Sequence, residues 1–292
     1  MINGTMVSLK WGKDKMSKYL FFDMDGTLIS PSTRHIPQSA VKGIKKAMEA
    51  GHKCFLCTGR SYRLGLEYDD ELHIPGMVFC NGAGLAYEGE ILETDDIDQD
   101  LVYKMMEITD YLGGDYSLLT REYMFKNEKS YLHSARNWGS RYENESTEEI
   151  FARRGVKFMG DYHNEPVQKL DIYFTSQMIA DIFFSRVPDS LQLARAGGYY
   201  AGTGDRGGEI TKAGVNKGTG VLKVLKRFGG TLDDCYVFGD SSNDIEMMKT
   251  CPHSIAMGNG TDYVKSICET VTDSVDDNGI YNALIKYGLI GE

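Results

Sequence analysis

The chain has 292 residues, 41% of them hydrophobic, and a formal net charge of −10, a composition typical of a globular protein long enough for one large domain or two of ordinary size. The negative charge argues against binding to nucleic acid or to an anionic membrane surface, because both require a basic footprint. No stretch approaches the ~20 apolar residues of a membrane helix, and residues 1–18 lack the apolar centre of a signal peptide, so we expect a cytoplasmic protein.

Short apolar runs ending in polar residues follow a polar, aperiodic arm, residues 1–16, that we expect to be weakly ordered. The first of these runs are KYLFFD, HKCFLCTG and GMVFCNG. A helical pattern from Gln38 to Ala50 separates the first two, with Pro37 before it and Gly51 after it as boundary residues. This alternation predicts βαβ units and a parallel sheet.

The alternation is interrupted in the middle of the chain. Residues 86–190 are richer in Tyr, Glu and Asn, and they mix helical patterns with the strand-like run LDIYF. The earlier rhythm returns near the end, where a helical stripe closed by Gly229 precedes the runs CYVFGD and SIAMGNG. The sequence therefore predicts a doubly wound α/β core over residues 17–85 and 191–292, with an α+β domain of residues 86–190 inserted into it.

Two acidic residues stand at the end of the first predicted strand. Asp23 and Asp25 follow the run KYLFF, and Gly26 and Thr27 after them allow a turn and offer backbone amides. Open parallel sheets place ligands at the carboxyl ends of their strands. One carboxylate can attack phosphorus while the other carries the leaving-group proton, so this pair suits phosphoryl chemistry.

A second polar cluster ends the predicted strand CYVF. It runs Gly239-Asp240-Ser241-Ser242-Asn243-Asp244 and offers the hard oxygen ligands that suit Mg²⁺. A phosphate also needs cationic and neutral donors around its equatorial oxygens. Thr58, at the end of the second strand, and Lys217, at the start of a helix, supply them.

Together these residues resemble the haloacid dehalogenase-like hydrolases, and within them the Cof-type phosphatases of subclass IIB, which carry a large cap after the third strand. Four motifs occur in that family's order: Phe22-Asp23-Met24-Asp25-Gly26-Thr27-Leu28, Thr58-Gly59-Arg60, Gly214-Val215-Asn216-Lys217-Gly218 and Gly239-Asp240-Ser241-Ser242-Asn243-Asp244. Three further segments resemble marks of the subfamily: Asn81-Gly82-Ala83, Ala256-Met257-Gly258-Asn259 and Asp277-Asn278-Gly279-Ile280.

The resemblance implies a role for each matching residue. Asp23 would be the nucleophile and a Mg²⁺ ligand, Asp25 would be the general acid and base and lend its carbonyl oxygen to the metal, and Asp240 would complete the metal site. The transferring phosphoryl group would be bound by Thr58, Gly59, Lys217 and Asn243. Family members that keep their aspartyl-phosphate, such as ion-pumping ATPases, have Thr at the position of Asp25, so the resemblance implies hydrolysis.

Three residues have supporting positions. By the same resemblance, Asp244 would orient Lys217 or a metal-bound water. Arg60 and Asn81 lie beside the predicted site, and we expect each either to touch substrate or to brace the loops. The inserted domain would be a cap that closes over the site and selects the substrate. A capped site favours small phosphorylated metabolites, sugar phosphates first.

Two other functions are alternatives. A phosphomutase uses the same nucleophile and acid, although the mutases of this family carry a helical cap after the first motif, where the gap from Leu28 to Gln38 is short. A non-catalytic phosphate-binding module would sense phosphate without turnover, and the intact motif set argues against it.

Other patterns have plain structural readings. Cys54 and Cys57 are interpreted as core residues, like the other cysteines, and the six scattered histidines are assigned no metal. The Gly-rich run 196–209 contains a G-x-G-x-x-G match but follows no clear strand, which favours a loop. Five aromatic residues of the insert either line a sugar-binding face or form the insert's own core, and the second reading is favoured: Tyr111, Tyr116, Tyr123, Tyr131 and Trp138.

Overall fold

The structure is a computed structural model that describes residues 17–139, 145–195 and 206–291. The predicted N-terminal arm, residues 1–16, lies outside the described residues, as does most of the Gly-rich run. Within the described residues, the helices are all too short or too polar to cross a membrane.

The strands of the described residues are β1 (Tyr19–Phe22), β2 (Lys53–Cys57), β3 (Gly76–Phe79), β4 (Gly84–Tyr87), β5 (Glu90–Thr94), β6 (Asp115–Thr120), β7 (Met124–Lys126), β8 (Val156–Phe158), β9 (Val167–Tyr173), β10 (Leu191–Arg195), β11 (Gly207–Lys212), β12 (Cys235–Gly239), β13 (His253–Ala256) and β14 (Thr270–Val271). The α-helices there are α1 (Gln38–Glu49), α2 (Tyr62–Gly65), α3 (Asp69–Leu72), α4 (Gln99–Tyr111), α5 (Glu128–Gly139), α6 (Thr147–Arg154), α7 (Gln177–Phe184), α8 (Lys217–Phe228), α9 (Ile245–Thr250), α10 (Asp262–Ile267) and α11 (Gly279–Lys286).

The larger sheet has the strand order β14-β13-β12-β1-β2-β3-β4-β5. It is parallel from β14 to β3, and β4 and β5 add an antiparallel edge. Side chains of β1 alternate between two apolar layers, with Leu20 and Phe22 on one face and Tyr19 and Phe21 on the other. Because both faces are covered, the sheet is doubly wound, which confirms the predicted α/β fold.

The order of the strands reverses at the centre of this sheet. From β1 the chain proceeds outward to β2 and β3, and it later returns to the other side of β1 with β12 and then β13. Parallel sheets bind ligands at such a switch point, outside the carboxyl ends of the strands. Asp23 follows β1 and Asp240 follows β12, so both residues lie at this point.

A second sheet lies between β5 and β12 in the sequence. Its order is β10-β11-β9-β6-β7-β8, and all its neighbours are antiparallel except β7 and β8. One face packs against α4 and α7 through an apolar cluster that includes Val102, Leu170 and Phe183. We call residues 95–212, which carry this sheet, the insert.

The two sheets divide the chain later than the sequence predicts. At the first boundary, β4 and β5 extend the larger sheet to Thr94, whereas the prediction ends the first core segment at residue 85. At the second, the hairpin of β10 and β11 keeps the chain in the insert to Lys212, whereas the prediction returns it to the core at residue 191. Both segments are antiparallel hairpins whose outer strand, β5 or β10, is the edge of its sheet, and such hairpins lack the apolar runs that mark buried parallel strands.

Gly82 permits the closest approach of α8 to the loop after β3. Its φ is +95°, and a Cβ atom there would lie 2.0 Å from the carbonyl oxygen of Asn216. We predict that Gly82→Ala lowers the free energy of unfolding by about 3 kcal/mol or more, since it adds a backbone clash to the ~1–2 kcal/mol cost of a left-handed residue. Urea unfolding measures this loss.

Gly89 provides the matched control, because its φ is +82° and no described atom lies within 4 Å of its added Cβ. Gly89→Ala should lose only the ~1–2 kcal/mol of backbone strain. Equal losses in the two variants would contradict the close packing of α8 on this loop.

Candidate active site

The centre of the site is a buried lysine between two buried aspartates. The side chain of Lys217 is fully buried, and its Nζ donates hydrogen bonds to Asp23 Oδ1 and to Asp244 Oδ1, the second at 2.7 Å. Burial alone would lower the pKa of Lys217, but the charges of Asp23 and Asp244 raise it above its usual value. Lys217 is therefore an ammonium ion, paired on both sides.

Local structure positions each member of this triad. Asp23 follows β1, and its backbone N–H donates to the carbonyl of Phe238 in β12. Lys217 is the first residue of α8, whose start is held by a capping box between Asn216 and Thr219. Asp244 closes a short 3₁₀ turn after β12. The triad thus joins three segments that are far apart in the sequence.

Asp244 also shapes the loop after β12. Its Oδ2 accepts hydrogen bonds from the backbone N–H groups of Asp240 at 2.9 Å and Ser241 at 3.0 Å. Asp240 Oδ1 in turn accepts a hydrogen bond from Thr27 Oγ1 at 2.8 Å. These bonds hold the Asp240 carboxylate against the loop that carries Asp23.

Three carboxylates converge in this site. One oxygen atom from each of Asp23, Asp240 and Asp244 lies within 4.8 Å of the others. Burial and the charge of Asp244 raise the pKa of Asp23 well above its usual value, and the same two causes raise the pKa of Asp240 to about 7. One lysine does not balance three carboxylates, so the site has an excess of negative charge.

A divalent cation fits this donor set. Carboxylate oxygens are the ligands that Mg²⁺ prefers, and burial together with the neighbouring charge of Asp244 raises the pKa of Asp23 and of Asp240, a repulsion that a cation would relieve. Both oxygens of Asp244 already accept hydrogen bonds from protein donors, which suits a supporting position. Asp23 and Asp240 are therefore the side chains that could hold the metal.

Asp25 points away from the triad, toward Arg60. Its two carboxylate oxygens accept hydrogen bonds from Arg60 Nη2 at 2.7 Å and Nε at 3.0 Å, while 64% of its side chain remains exposed. Desolvation works to raise the pKa of Asp25, but the charge and hydrogen bonds of Arg60 outweigh it and lower that pKa below its usual value. The pair is bidentate, which fixes the direction of the carboxylate.

The predicted phosphate-binding residues surround the same place. Thr58 is buried at the end of β2, and Asn243 Oδ1 lies 3.4 Å from Lys217 Nζ. A Cβ atom on Gly59 would lie 2.9 Å from Asn81 Oδ1 and 3.4 Å from Asn243 Nδ2, so the loops after β2, β3 and β12 meet over this glycine. The structure thus brings all ten predicted site residues to one edge of the larger sheet.

The insert reaches this edge at two places that the sequence analysis did not identify. Asn81 Nδ2 donates to Glu209 Oε2 of β11 at 2.7 Å, beside the phosphate-binding residues. Glu67, after α2, accepts hydrogen bonds from Arg153 and Arg154 of α6, and it also lies 3.6 Å from Arg60. A single acidic residue in a Gly-rich run matches no motif, so nothing in the sequence indicates that Glu209 lies at this site.

The cysteines and aromatic residues have structural positions. All six cysteines lie among the described residues and are free thiols, five of them buried and Cys268 partly so. Tyr116 and Trp138 are buried in apolar clusters of the insert, and Tyr131 packs at its edge, whereas Tyr111 is 89% exposed. The positions of these aromatic residues therefore agree better with the prediction that they form the insert's own core than with a sugar-binding face.

Comparisons with known proteins agree with this architecture. The model of a family described as haloacid dehalogenase-like hydrolases matches residues 20–284. The chain is similar to YkrA of Bacillus subtilis strain 168, whose name assigns it provisionally to the phosphatases, with 24% identity over 94% of this chain and 99% of that protein. It is also similar to the 5-amino-6-(5-phospho-D-ribitylamino)uracil phosphatase YcsE of the same strain, with 24% identity over 91% of this chain and 94% of that protein. A solved structure described as a subclass IIB sugar phosphatase has the same fold, with a TM-score of 0.78 at 24% identity, over 94% of this chain and 100% of that one.

The carboxylate cluster predicts a pH-dependent response to Mg²⁺. Because the pKa of Asp240 is about 7 in the folded protein and ordinarily 3.8, the folded state binds more protons than the unfolded state between these values. The free energy of unfolding of the metal-free protein should therefore fall as the pH rises from about 4 to about 7. Mg²⁺ should raise the thermal midpoint more near pH 8 than near pH 5, as differential scanning calorimetry will show.

Asp240→Asn tests the origin of this effect. The variant should lose most of both the pH-dependent fall and the stabilisation by Mg²⁺, because it removes one of the carboxylates that the cation would neutralise. Two results would contradict this site: equal stabilisation of the wild type by Mg²⁺ at both pH values, or stabilisation of Asp240→Asn by Mg²⁺ to the same extent as the wild type.

Proposed function

We propose a mechanism and a substrate class for this chain, which belongs to the haloacid dehalogenase-like hydrolases and is a phosphatase of that family. The reaction is hydrolysis of phosphate monoesters of small metabolites, in two steps, through an aspartyl-phosphate on Asp23. The observation that supports this proposal most strongly is the buried pairing of Asp23 with Lys217, at the point where the strand order of the larger sheet reverses.

In the first step, the Asp23 carboxylate attacks phosphorus, and the bond from phosphorus to the leaving-group oxygen breaks. Lys217 favours the ionised form of Asp23 despite its burial, and it stabilises negative charge on the transferring phosphoryl group together with Thr58. Asp25 donates a proton to the leaving oxygen. Mg²⁺, held by Asp23, Asp240 and the Asp25 carbonyl, would supply further positive charge opposite the phosphoryl oxygens.

In the second step, Asp25 accepts a proton from water while the water oxygen attacks phosphorus. The bond between phosphorus and Asp23 breaks, inorganic phosphate is released and the Asp23 carboxylate is restored. In the structure Arg60 holds Asp25 in its ionised form, which is the form that accepts this proton. To act as an acid in the first step, Asp25 must be protonated and must break its pair with Arg60. Glu67, which lies 3.6 Å from Arg60, is a carboxylate that can then pair with the guanidinium.

The insert would be the cap of this enzyme. Its contacts with the site through Glu209 and through Arg153 and Arg154 support a role in covering the substrate and excluding water. Small phosphorylated metabolites suit a covered site, and sugar phosphates are our first choice. Two of the similar proteins described above carry names that specify a phosphorylated ribityl compound and a sugar phosphate.

Phosphate release from a panel of phosphorylated metabolites tests the function. We predict release that needs Mg²⁺, stops with a chelator and falls by more than about 10³-fold in Asp23→Asn, because the amide cannot attack phosphorus. Asp262→Asn, which changes an exposed aspartate on α10, is the matched control and should keep full activity. A folded wild-type protein that releases phosphate from no member of the panel would contradict the proposal.

The second step can be isolated with p-nitrophenyl phosphate, whose leaving group needs no proton. In Asp25→Asn the first step should proceed and the second should slow by about 10²- to 10⁴-fold, because no base activates the water. Stopped-flow absorbance should then show a burst of about one nitrophenol per active site, which the wild type lacks. A variant without a burst, slowed equally with every substrate, would show that Asp25 has another role.

A further inference from the structure

The second face of the insert's sheet carries buried charges that the mechanism does not use. Lys169 and Asp171 on β9 and Glu209 on β11 are exposed by only 1%, 5% and 4%. Lys169 Nζ lies 2.6 Å from Glu209 Oε1 and 2.9 Å from Asp171 Oδ1. We call these three residues the charged cluster.

The charged cluster adjoins the phosphate-binding residues. Glu209 Oε2 accepts a hydrogen bond from Asn81, and a Cβ atom on Gly59 would lie 3.4 Å from Glu209 Oε1 and from Asn243 Nδ2. The space over Gly59 is therefore bounded by the phosphate-binding loops on one side and by Glu209 on the other. A phosphate ester bound at Asp23 would extend toward this boundary.

The arrangement is costly for the fold. In the register of β9 and β11, Asp171 lies directly opposite Glu209, and like charges in this relation are destabilising. Buried ion pairs also contribute less to stability than apolar residues of similar size. Lys169 offsets part of this repulsion, but a sheet face could fold without any of these three charges, which favours a role for them in binding a ligand.

Asn81 gives an independent indication of a ligand. Its side chain is 94% buried and held in the left-handed backbone region, with φ of +55°. Its Nδ2 is bonded to Glu209, but Oδ1 has no hydrogen-bond partner among the described residues and faces Gly59. A buried carbonyl oxygen without a partner is a cost that a donor on a bound ligand would remove.

The charges define what this place can bind. The carboxylates of Asp171 and Glu209 and the oxygen of Asn81 accept hydrogen bonds, and the ammonium of Lys169 donates them. Lys126 on β7 is the next lysine on this face, and burial lowers its pKa to about 7. Even when Lys126 is counted, two lysines face two carboxylates, so the cluster offers no excess of positive charge. A hydroxyl group, which both donates and accepts, satisfies such a set, whereas a second phosphate or a carboxylate does not.

We propose that Lys169, Asp171 and Glu209, with Asn81, bind the leaving group of the substrate and select an uncharged, hydroxyl-rich one. This inference rests on the proposed function and adds to it the residues that choose the substrate. Binding requires the pair of Lys169 and Glu209 to open, so that its groups bond to hydroxyls of the substrate. A hexose monophosphate is then preferred to a hexose bisphosphate.

Rates with two substrates test the selection. In Glu209→Gln and in Asp171→Asn, the ratio of kcat/KM for a hexose monophosphate to that for p-nitrophenyl phosphate should fall about 10- to 100-fold, the loss expected for a hydrogen bond to a charged group. The ratio should not change in Gln168→Met, the matched control. Gln168 is a buried neighbour on β9 whose side chain bonds to Asp96 and the carbonyl of Pro166 instead. An unchanged ratio in the two cluster variants would overturn the proposal.

Binding separates this proposal from the proposed function. In Asp23→Asn, which cannot turn over, a hexose monophosphate should raise the thermal midpoint more than inorganic phosphate does, and Glu209→Gln in the same background should abolish the difference. If both ligands stabilise the protein equally, the charged cluster is not the binding site, even where hydrolysis is found. If the difference is present but the wild type hydrolyses nothing, the selection stands and the enzymatic function fails.

Discussion

The burial of one ammonium group, that of Lys217, organises the site. A fully buried cation is tolerated only when it is paired, and Lys217 has Asp23 on one side and Asp244 on the other. These partners come from the ends of β1 and β12, so the pairing fixes the start of α8 against the centre of the larger sheet. The same contact works to lower the pKa of Asp23, against the burial and the charge of Asp244 that raise it.

Polar contacts join the insert to this centre, beside an apolar contact in which Leu119 and Met124 pack into the core's cluster. Glu209 meets Asn81 beside the phosphate-binding loops, and Arg153 and Arg154 meet Glu67, whose neighbour Arg60 holds Asp25. Polar contacts of this kind are exchanged for water at low net cost, which is compatible with the role of a cap that we propose for the insert. Both contacts end on residues next to the groups that we propose to react, so the insert and the proposed chemistry are physically connected.

Much of the core could be predicted from the sequence because buried parallel strands are apolar runs with polar ends. Asp23, Thr58 and Asp240 stand directly after such runs, and parallel strands bring their ends to one edge. The boundaries of the insert could not be predicted, because the boundary hairpins β4–β5 and β10–β11 end in edge strands of mixed polarity, β5 and β10. Glu209 could not be identified from the sequence for a related reason. Its partners Asn81 and Lys169 are distant in the chain, and the pairing of β9 with β11 is what brings Lys169 next to Glu209.

The central claim is that Asp23 carries the phosphoryl group during turnover. We would quench the reaction of the wild type with a hydrolysed phosphate ester within milliseconds, treat it with borohydride, which reduces an acyl phosphate to an alcohol, and map the protein by mass spectrometry. The account predicts that residue 23 alone is converted to homoserine, and only when substrate and Mg²⁺ are both present. Turnover without reduction at Asp23, or with a phosphoryl group on any other residue, would contradict it.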